Sequence, residues 1–213
     1  MKSKIVTIEN NWNNYRDFFP DRYWKIGDVD TFFLKKINEL NIEKENLLDV
    51  GGGALGTEIL KNMFKKHILL DPNITNIPNY INKNVTFQEL KANKEKFNLI
   101  VARGSINYLN ELEIKQLKSL IDKKGLIIFN TFCEPPSEDW NKKIYETDGV
   151  KIEESARFNK EKNIVEHELI TNNKKIVHTF NYYSEVHLKT LLGDNLENFK
   201  YGKNSVVYYL KNN

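Results

Sequence analysis

The segment Asn46-Leu47-Leu48-Asp49-Val50-Gly51-Gly52-Gly53-Ala54-Leu55-Gly56 constrains the fold of this chain more than any other. A short apolar strand runs into three consecutive glycines, and the spacing of Ile59, Leu60, Met63 and Phe64 predicts a helix beyond them. Glycines at such a junction let the backbone approach a ligand closely, and a helix start presents free amide groups to it. Further strands are predicted at 67–70, 85–87, 97–102 and 125–132. Asn110, with Glu113 three residues on, caps a helix carrying Leu117, Leu120 and Ile121. This alternation predicts an α/β fold with a Rossmann-like, doubly wound and mainly parallel sheet, helices covering both faces.

The flanks read differently. Residues 9–24 carry Trp12, Tyr15, Phe18, Phe19, Tyr23 and Trp24, and the Trp12, Tyr15, Phe19 spacing is that of one helical face. Val29, Phe32, Phe33, Ile37 and Leu40 predict a second helix ending near Asn41. After Phe132 a polar excursion over 133–149 contains Pro135-Pro136. Three antiparallel strands, at 150–158, 164–170 and 176–182, then form a cap inserted after the fifth core strand. A turn at Asn172-Asn173 sets His167 opposite His178, Val165 opposite Phe180 and Leu169 opposite Ile176. That register gives the cap one apolar side with a histidine pair at its centre. Ser184 caps a helix running through Leu192, and 204–210 closes the chain as an aromatic-rich strand. The 213 residues are read as one domain: a helical lid over 1–43, a core over 44–132, the excursion and cap over 133–183, and a final helix and strands over 184–213.

Composition removes several classes. Hydrophobic residues at 40% and aromatics at 12% exclude a disordered chain. No apolar run approaches bilayer length, and Met1-Lys2-Ser3-Lys4 opens no signal-peptide core, so a cytoplasmic location without membrane contact is expected. The net charge of +3 comes from 32 basic and 29 acidic residues that are interspersed, which argues against a nucleic-acid partner. Cys133, the single cysteine, can form no internal disulfide.

Two ligands compete for the glycine loop. Gly51, Gly53 and Gly56 fit a dinucleotide fingerprint, and Asp71 stands where an NAD ribose carboxylate would. Asp49, two residues before the first glycine, turns the balance: a buried carboxylate repels a pyrophosphate but can hold an ammonium group, directly or through water. S-adenosylmethionine (SAM) carries that ammonium group. The stretches Leu48-Asp49-Val50-Gly51-Gly52-Gly53, Leu69-Leu70-Asp71-Pro72, Phe97-Asn98-Leu99-Ile100-Val101 and Gly125-Leu126-Ile127-Ile128-Phe129 resemble successive core motifs of class I SAM-dependent methyltransferases. Tyr182-Tyr183-Ser184-Glu185-Val186-His187-Leu188 is similar to a helix start late in the small-molecule branch of that family. Asn98 departs from the aspartate that often opens the corresponding strand. The resemblance implies that Asp71, followed by Pro72, binds the ribose hydroxyls, that Gly51 and Gly53 line the methionine portion, and that Arg103 lies beside the cofactor. It also implies an N-terminal helix closing over SAM, with Tyr15 as the lid residue; plain packing of that helix is the other reading. S-adenosylhomocysteine would be the product.

Methyl transfer from a sulfonium is an in-line displacement that needs alignment and exclusion of water, so a base is optional. The expected acceptor is oxygen or nitrogen of a small metabolite. RNA or protein methylation, an NAD-binding oxidoreductase and a non-catalytic SAM-binding domain are the alternatives. The candidate base is His178, with Tyr108 after the fourth core strand as an orienting hydroxyl; the other reading packs the apolar side of the cap on the core or on a second subunit as a homodimer. No third ligand accompanies the histidine pair, and no metal is expected. His67 is read as structural, His187 as solvated and Cys133 as an incidental thiol.

Overall fold

The computed structural model describes residues 6–9, 28–52, 59–71, 83–147, 150–171, 174–201 and 205–212. In chain order these form β1 (Val6–Glu9), α1 (Asp28–Glu39), β2 (Asn46–Val50), β3 (Lys66–Leu70), β4 (Lys83–Asn84), α2 (Phe87–Asn93), β5 (Phe97–Ala102) and α3 (Glu111–Leu120). There follow β6 (Ile121–Phe132), β7 (Asn141–Thr147), β8 (Val150–Asn159), β9 (Ile164–Ile170), β10 (Lys174–Asn181), α4 (Glu185–Leu192), β11 (Glu197–Tyr201) and β12 (Ser205–Lys211). The chain divides into two compact units, residues 21–133 with 183–213, and residues 1–20 with 134–182. Among the described residues no helix is long and apolar enough to cross a membrane.

The larger unit is a seven-stranded sheet in the order β11-β12-β6-β5-β2-β3-β4. Strands β2 to β6 pair in parallel, and β12 is antiparallel to both β6 and β11. β2, β3 and β5 are buried almost throughout, as expected of parallel strands covered on both faces. Alternate side chains divide between two apolar clusters. Leu48, Val50, Ile100, Ala102, Ile127 and Phe129 pack with Ile114 and Leu117 of α3 and Leu188 and Leu192 of α4. Leu47, Leu99, Val101 and Ile128 pack with Phe33 and Ile37 of α1. α1 begins with Asp28 and Asp30, whose charge suits the positive end of a helix. Phe32 stacks on Phe199 of β11 with ring centroids 4.5 Å apart.

Several sequence expectations need correction here. Residues 85–87 are not a strand: Thr86 and Glu89 form a capping box that starts α2, and the third parallel strand is the short β4. That signature, a threonine followed three residues later by a glutamate, is present in the sequence and outweighs the β propensity of Val85 and Phe87. Of the helix read beyond the glycines, residues 53–58 lie outside the described residues; Ile59 is helical and is followed by a 3₁₀ turn, Leu60–Asn62. β6 begins at Ile121 rather than Gly125, with a register shift opposite Phe97 and Leu99. β11 was not foreseen. The helix capped by Asn110 and Glu113 and the one capped by Ser184 form as expected. The aromatic helix over 9–24, with Tyr15, lies outside the described residues apart from Glu9, which ends β1.

The smaller unit is a five-stranded sheet in the order β1-β10-β9-β8-β7. The cap is therefore larger than the expected three strands. β7 lies inside the stretch read as a polar excursion, and β1, from the segment read as a helical lid, pairs in parallel with β10. The expected register of the central hairpin holds: His178 pairs with His167, Ile176 with Leu169 and Phe180 with Val165. One face carries Ile152, Val165, Leu169, Ile176 and His178, all buried. The alternate positions carry charged pairs, Arg157 with Glu166 at 2.6 Å, Lys175 with Glu168 at 2.7 Å and Lys142 with Glu153 at 2.5 Å.

Candidate functional site

Strand order reverses direction about β2: β3 and β4 lie to one side of it, β5 and β6 to the other. In open α/β sheets the crevice outside the carboxyl ends of the strands at such a switch point is where ligands bind. β2 leaves the sheet there through Gly51, whose φ of +86° lies in the left-handed region. The Gly51 amide donates to the Leu70 carbonyl at 2.9 Å, and the Ser105 hydroxyl donates to the Val50 carbonyl at 2.5 Å. A Cβ at position 51 would come within 2.5 Å of the Ser105 Cβ, so only glycine fits. Beyond β5, the Gly104 amide donates to Asn130 Oδ1 at 2.8 Å, tying the loop to β6. The backbone between β2 and β5 is thus held open by small residues and pinned by side chains of neighbouring strand ends.

Asp49, Asp71 and Arg103 lie toward the same edge, with His67 set back near the start of β3. Asp49 and His67 sit on adjacent strands on the α1 side, 2% and 1% exposed, with Asp49 Oδ2 3.4 Å from His67 Nε2. That carboxylate oxygen makes no hydrogen bond to any described residue. Asp71, immediately after β3, is also buried. Arg103, immediately after β5, reaches back to α1, its Nε 2.5 Å from Oδ1 of the fully buried Asp30. Asn98, the departure noted in the sequence, accepts from the Asn46 amide at 2.9 Å and holds the start of β2 to β5. Of the residues singled out in sequence, the structure therefore brings Asp49, Gly51, Asp71 and Arg103 to one edge of one sheet; Gly53 and Pro72 lie outside the described residues. Asp30, Ser105 and Asn130 were missed. SAM can be tested against this edge: a buried carboxylate oxygen in want of a donor suits its ammonium group, and a glycine with no room for Cβ suits close approach of a ligand to backbone. The residues present fit that cofactor.

Tyr108 lies in the same unit, half-buried on the 3₁₀ turn Ile106–Tyr108 after β5, with its amide donating to the Ser105 carbonyl at 3.0 Å. Next to it Asn107 Oδ1 accepts from the buried Thr131 hydroxyl at 2.8 Å. Cys133 packs against the apolar cluster below, and His187, read as solvated, places Nε2 3.0 Å from Glu111. His178 belongs to the other unit. It is buried beside His167, ring centroids 6.3 Å apart, and His167 Nε2 lies 2.9 Å from Glu154 Oε1. Burial, and after it the neighbouring His167, pushes the His178 pKa down from 6.5 to about 4. Among the described residues no cluster of three or more potential metal ligands occurs.

A family model described as a methyltransferase domain matches residues 23–195. No curated protein matches the sequence. Among solved structures, the chain is similar to a SAM-dependent methyltransferase from Clostridium acetobutylicum, with a TM-score of 0.69 at 16% identity over 95% of this chain and 99% of that one. It is similar to the SAM-bound amino pentose methyltransferase of calicheamicin biosynthesis from Micromonospora echinaspora, TM-score 0.65 at 12% identity, covering 92% and 96%. A sugar N-methyltransferase from Streptoalloteichus gives a TM-score of 0.60 at 11% identity, covering 98% and 96%. At these identities the structural similarities speak for the fold.

Proposed function

The chain belongs to the methyltransferase domain family as a class I enzyme that uses SAM, and from that premise we propose that it methylates oxygen or nitrogen of a small metabolite, its two units working as one methyltransferase domain. The observation that carries the acceptor class is the face of the smaller unit on which His178 is buried among Val165, Leu169 and Ile176. A largely apolar face with a histidine pair on it suits a small molecule, whereas RNA calls for an extended basic surface. Amino pentose and sugar N-methyltransferases share this architecture, which favours the same class of acceptor. A second copy of the chain is the other partner that would cover such a face.

When bound, SAM supplies a methyl group activated on a sulfonium. The chain's own residues hold and align. In this reading Asp71 accepts hydrogen bonds from the ribose hydroxyls and Pro72, the next residue, contributes to the same cofactor-binding segment. Asp49 accepts the ammonium group, Gly51 and Gly53 allow close backbone approach, and Arg103, anchored by Asp30, stands beside the cofactor. Tyr15 closes over it as part of a lid that excludes water. His178, held neutral by burial, takes the acceptor's proton, and Tyr108 orients the acceptor.

Thermal-shift and calorimetric titrations with SAM, S-adenosylhomocysteine and NAD test the cofactor assignment, because only a ligand of the native state stabilises it. SAM and S-adenosylhomocysteine are expected to raise the melting temperature and NAD to leave it unchanged. Asp71→Ala is expected to weaken SAM binding by roughly 1–3 kcal/mol, the cost of removing a charged acceptor from buried hydroxyls. Stabilisation by NAD alone would overturn the assignment.

A further inference from the structure

Among the described residues the two sheets end in strands that have a neighbour on one side only: β1 and β7 in the smaller unit, β11 and β4 in the larger. Such an edge offers unpaired amides and carbonyls to another chain. β7 is the longest of these strands, seven residues, and carries Ile144 at its midpoint, 57% exposed, between the exposed Lys142 and Glu146. Its register on β8 sets Ile144 opposite Glu153 and Glu146 opposite Lys151, and Lys142 reaches Glu153 at 2.5 Å. Lys142, Ile144 and Glu146 therefore share the charged face of this sheet.

A second copy that approaches edge to edge and antiparallel is related to the first by a two-fold axis normal to the sheet. Opposed residues point to the same face, so a residue can meet only itself or one an even number of positions away. For β7 an axis through Ile144 satisfies this with opposite charges: Lys142 meets the partner's Glu146, Glu146 meets the partner's Lys142, and the two Ile144 side chains cover each other. Asn141 falls opposite Thr147 and Lys143 opposite Tyr145. Each Lys142 would lie between its own Glu153 and the partner's Glu146, and no like charges are opposed. The other edges cannot do this. In β11, Glu197 and Lys200 stand three positions apart and never oppose each other; β1 carries the single charge of Glu9, and β4 has two residues. A lysine on an edge ordinarily guards it against pairing. On β7 the same strand of a second copy brings the carboxylate that such a lysine needs. We propose that β7 is a self-complementary docking edge, through which two copies of this chain join their five-stranded sheets into one, with the two-fold axis at Ile144. The pairing does not engage the apolar face that carries His178, and it does not depend on the identity of the methyl acceptor.

Analytical ultracentrifugation of the full chain, from about 1 µM to about 1 mM, supplies the test. A strand pair of this length is a small interface, so a weak and reversible monomer–dimer equilibrium is expected. Lys142→Glu opposes acid to acid and Glu146→Lys opposes lysine to lysine. Each variant alone should self-associate at least about tenfold more weakly than the unaltered chain. Mixed in equal amounts, the two variants oppose opposite charges at both positions, and dimers should return. Melting curves report whether each variant folds. Should either fail to fold, hydrogen exchange on the unaltered chain decides: amides of β7 that point away from β8 should slow as protein concentration rises, while those of β1 and β11 should not. A chain that stays monomeric throughout, a dimer that either variant leaves intact, a mixture that restores nothing, or concentration-dependent protection that falls outside β7 would overturn the proposal.

Discussion

A histidine buried beside a second histidine is held neutral, and for His178 the consequence is a pH dependence of known sign. Its pKa falls from 6.5 to about 4, first through burial and then through His167. As the pH drops below 6.5 the unfolded chain takes up the proton while the folded chain does not. Stability is therefore full above 6.5 and lost progressively down to about 4, by at most about 3 kcal/mol. Urea unfolding at about pH 7.5 and about pH 4.5 checks this against the general acid response. His178→Gln should lose less stability between the two than the unaltered chain, and an equal loss would remove His178 from the account. The same shift bears on catalysis. A neutral imidazole is available down to about pH 4, so turnover should hold through mildly acidic conditions where an ordinary histidine base would fail. His178→Ala is expected to slow methyl transfer about a hundredfold with SAM affinity retained. At this scale the sequence shows Asp49 and Asp71 by their spacing from the glycines. It does not show Asp30, which looks like its neighbour Asp28, because only the packing of α1 on the sheet separates a buried acid from an exposed one.

Elements were legible where a period or a cap was strong. β2, β3 and β5 read as short, mostly apolar runs interrupted by Asp49, His67 and Asn98, and the caps at Asn110 and Ser184 marked their helices within a residue. β7 was not legible: it is an edge strand, exposed wherever its side chains are described, so no alternation marks it. Nor was the junction between β2 and β5, since Ser105 acts on Gly51 across a long stretch of sequence. The junction is testable. Gly51→Ala forces a Cβ onto Ser105 and a positive φ onto an L residue, and the φ penalty alone is about 1–2 kcal/mol. Chemical denaturation should show a loss larger than that. Measured against Ser105→Gly alone, which already lacks the hydroxyl bonded to the Val50 carbonyl, the double variant should lose only the conformational part. A Gly51→Ala protein as stable as the unaltered chain would mean that the loop relaxes freely and that position 51 does not require glycine.

At the scale of the molecule, each unit owns a sheet, and neither sheet is built from one continuous stretch of chain. The five-stranded sheet borrows β1 from ahead of the core. Removing residues 1–9 makes β10 an edge strand, and amides of Lys174–Asn181 that point toward β1 should exchange faster with deuterium while those of β2, β3 and β5 keep their protection. Unaltered exchange in β10 would show that β1 adds nothing to that sheet. The seven-stranded sheet has the opposite history, because β6 and its neighbour β12 flank the whole of residues 133–204. On the ribosome, at roughly 5–20 residues per second, β6 emerges and then waits on the order of ten seconds for its partner. Through that interval the edge that will become Leu126–Phe129, wholly buried in the finished fold, lies open beside a nascent sheet, a natural substrate for chaperones.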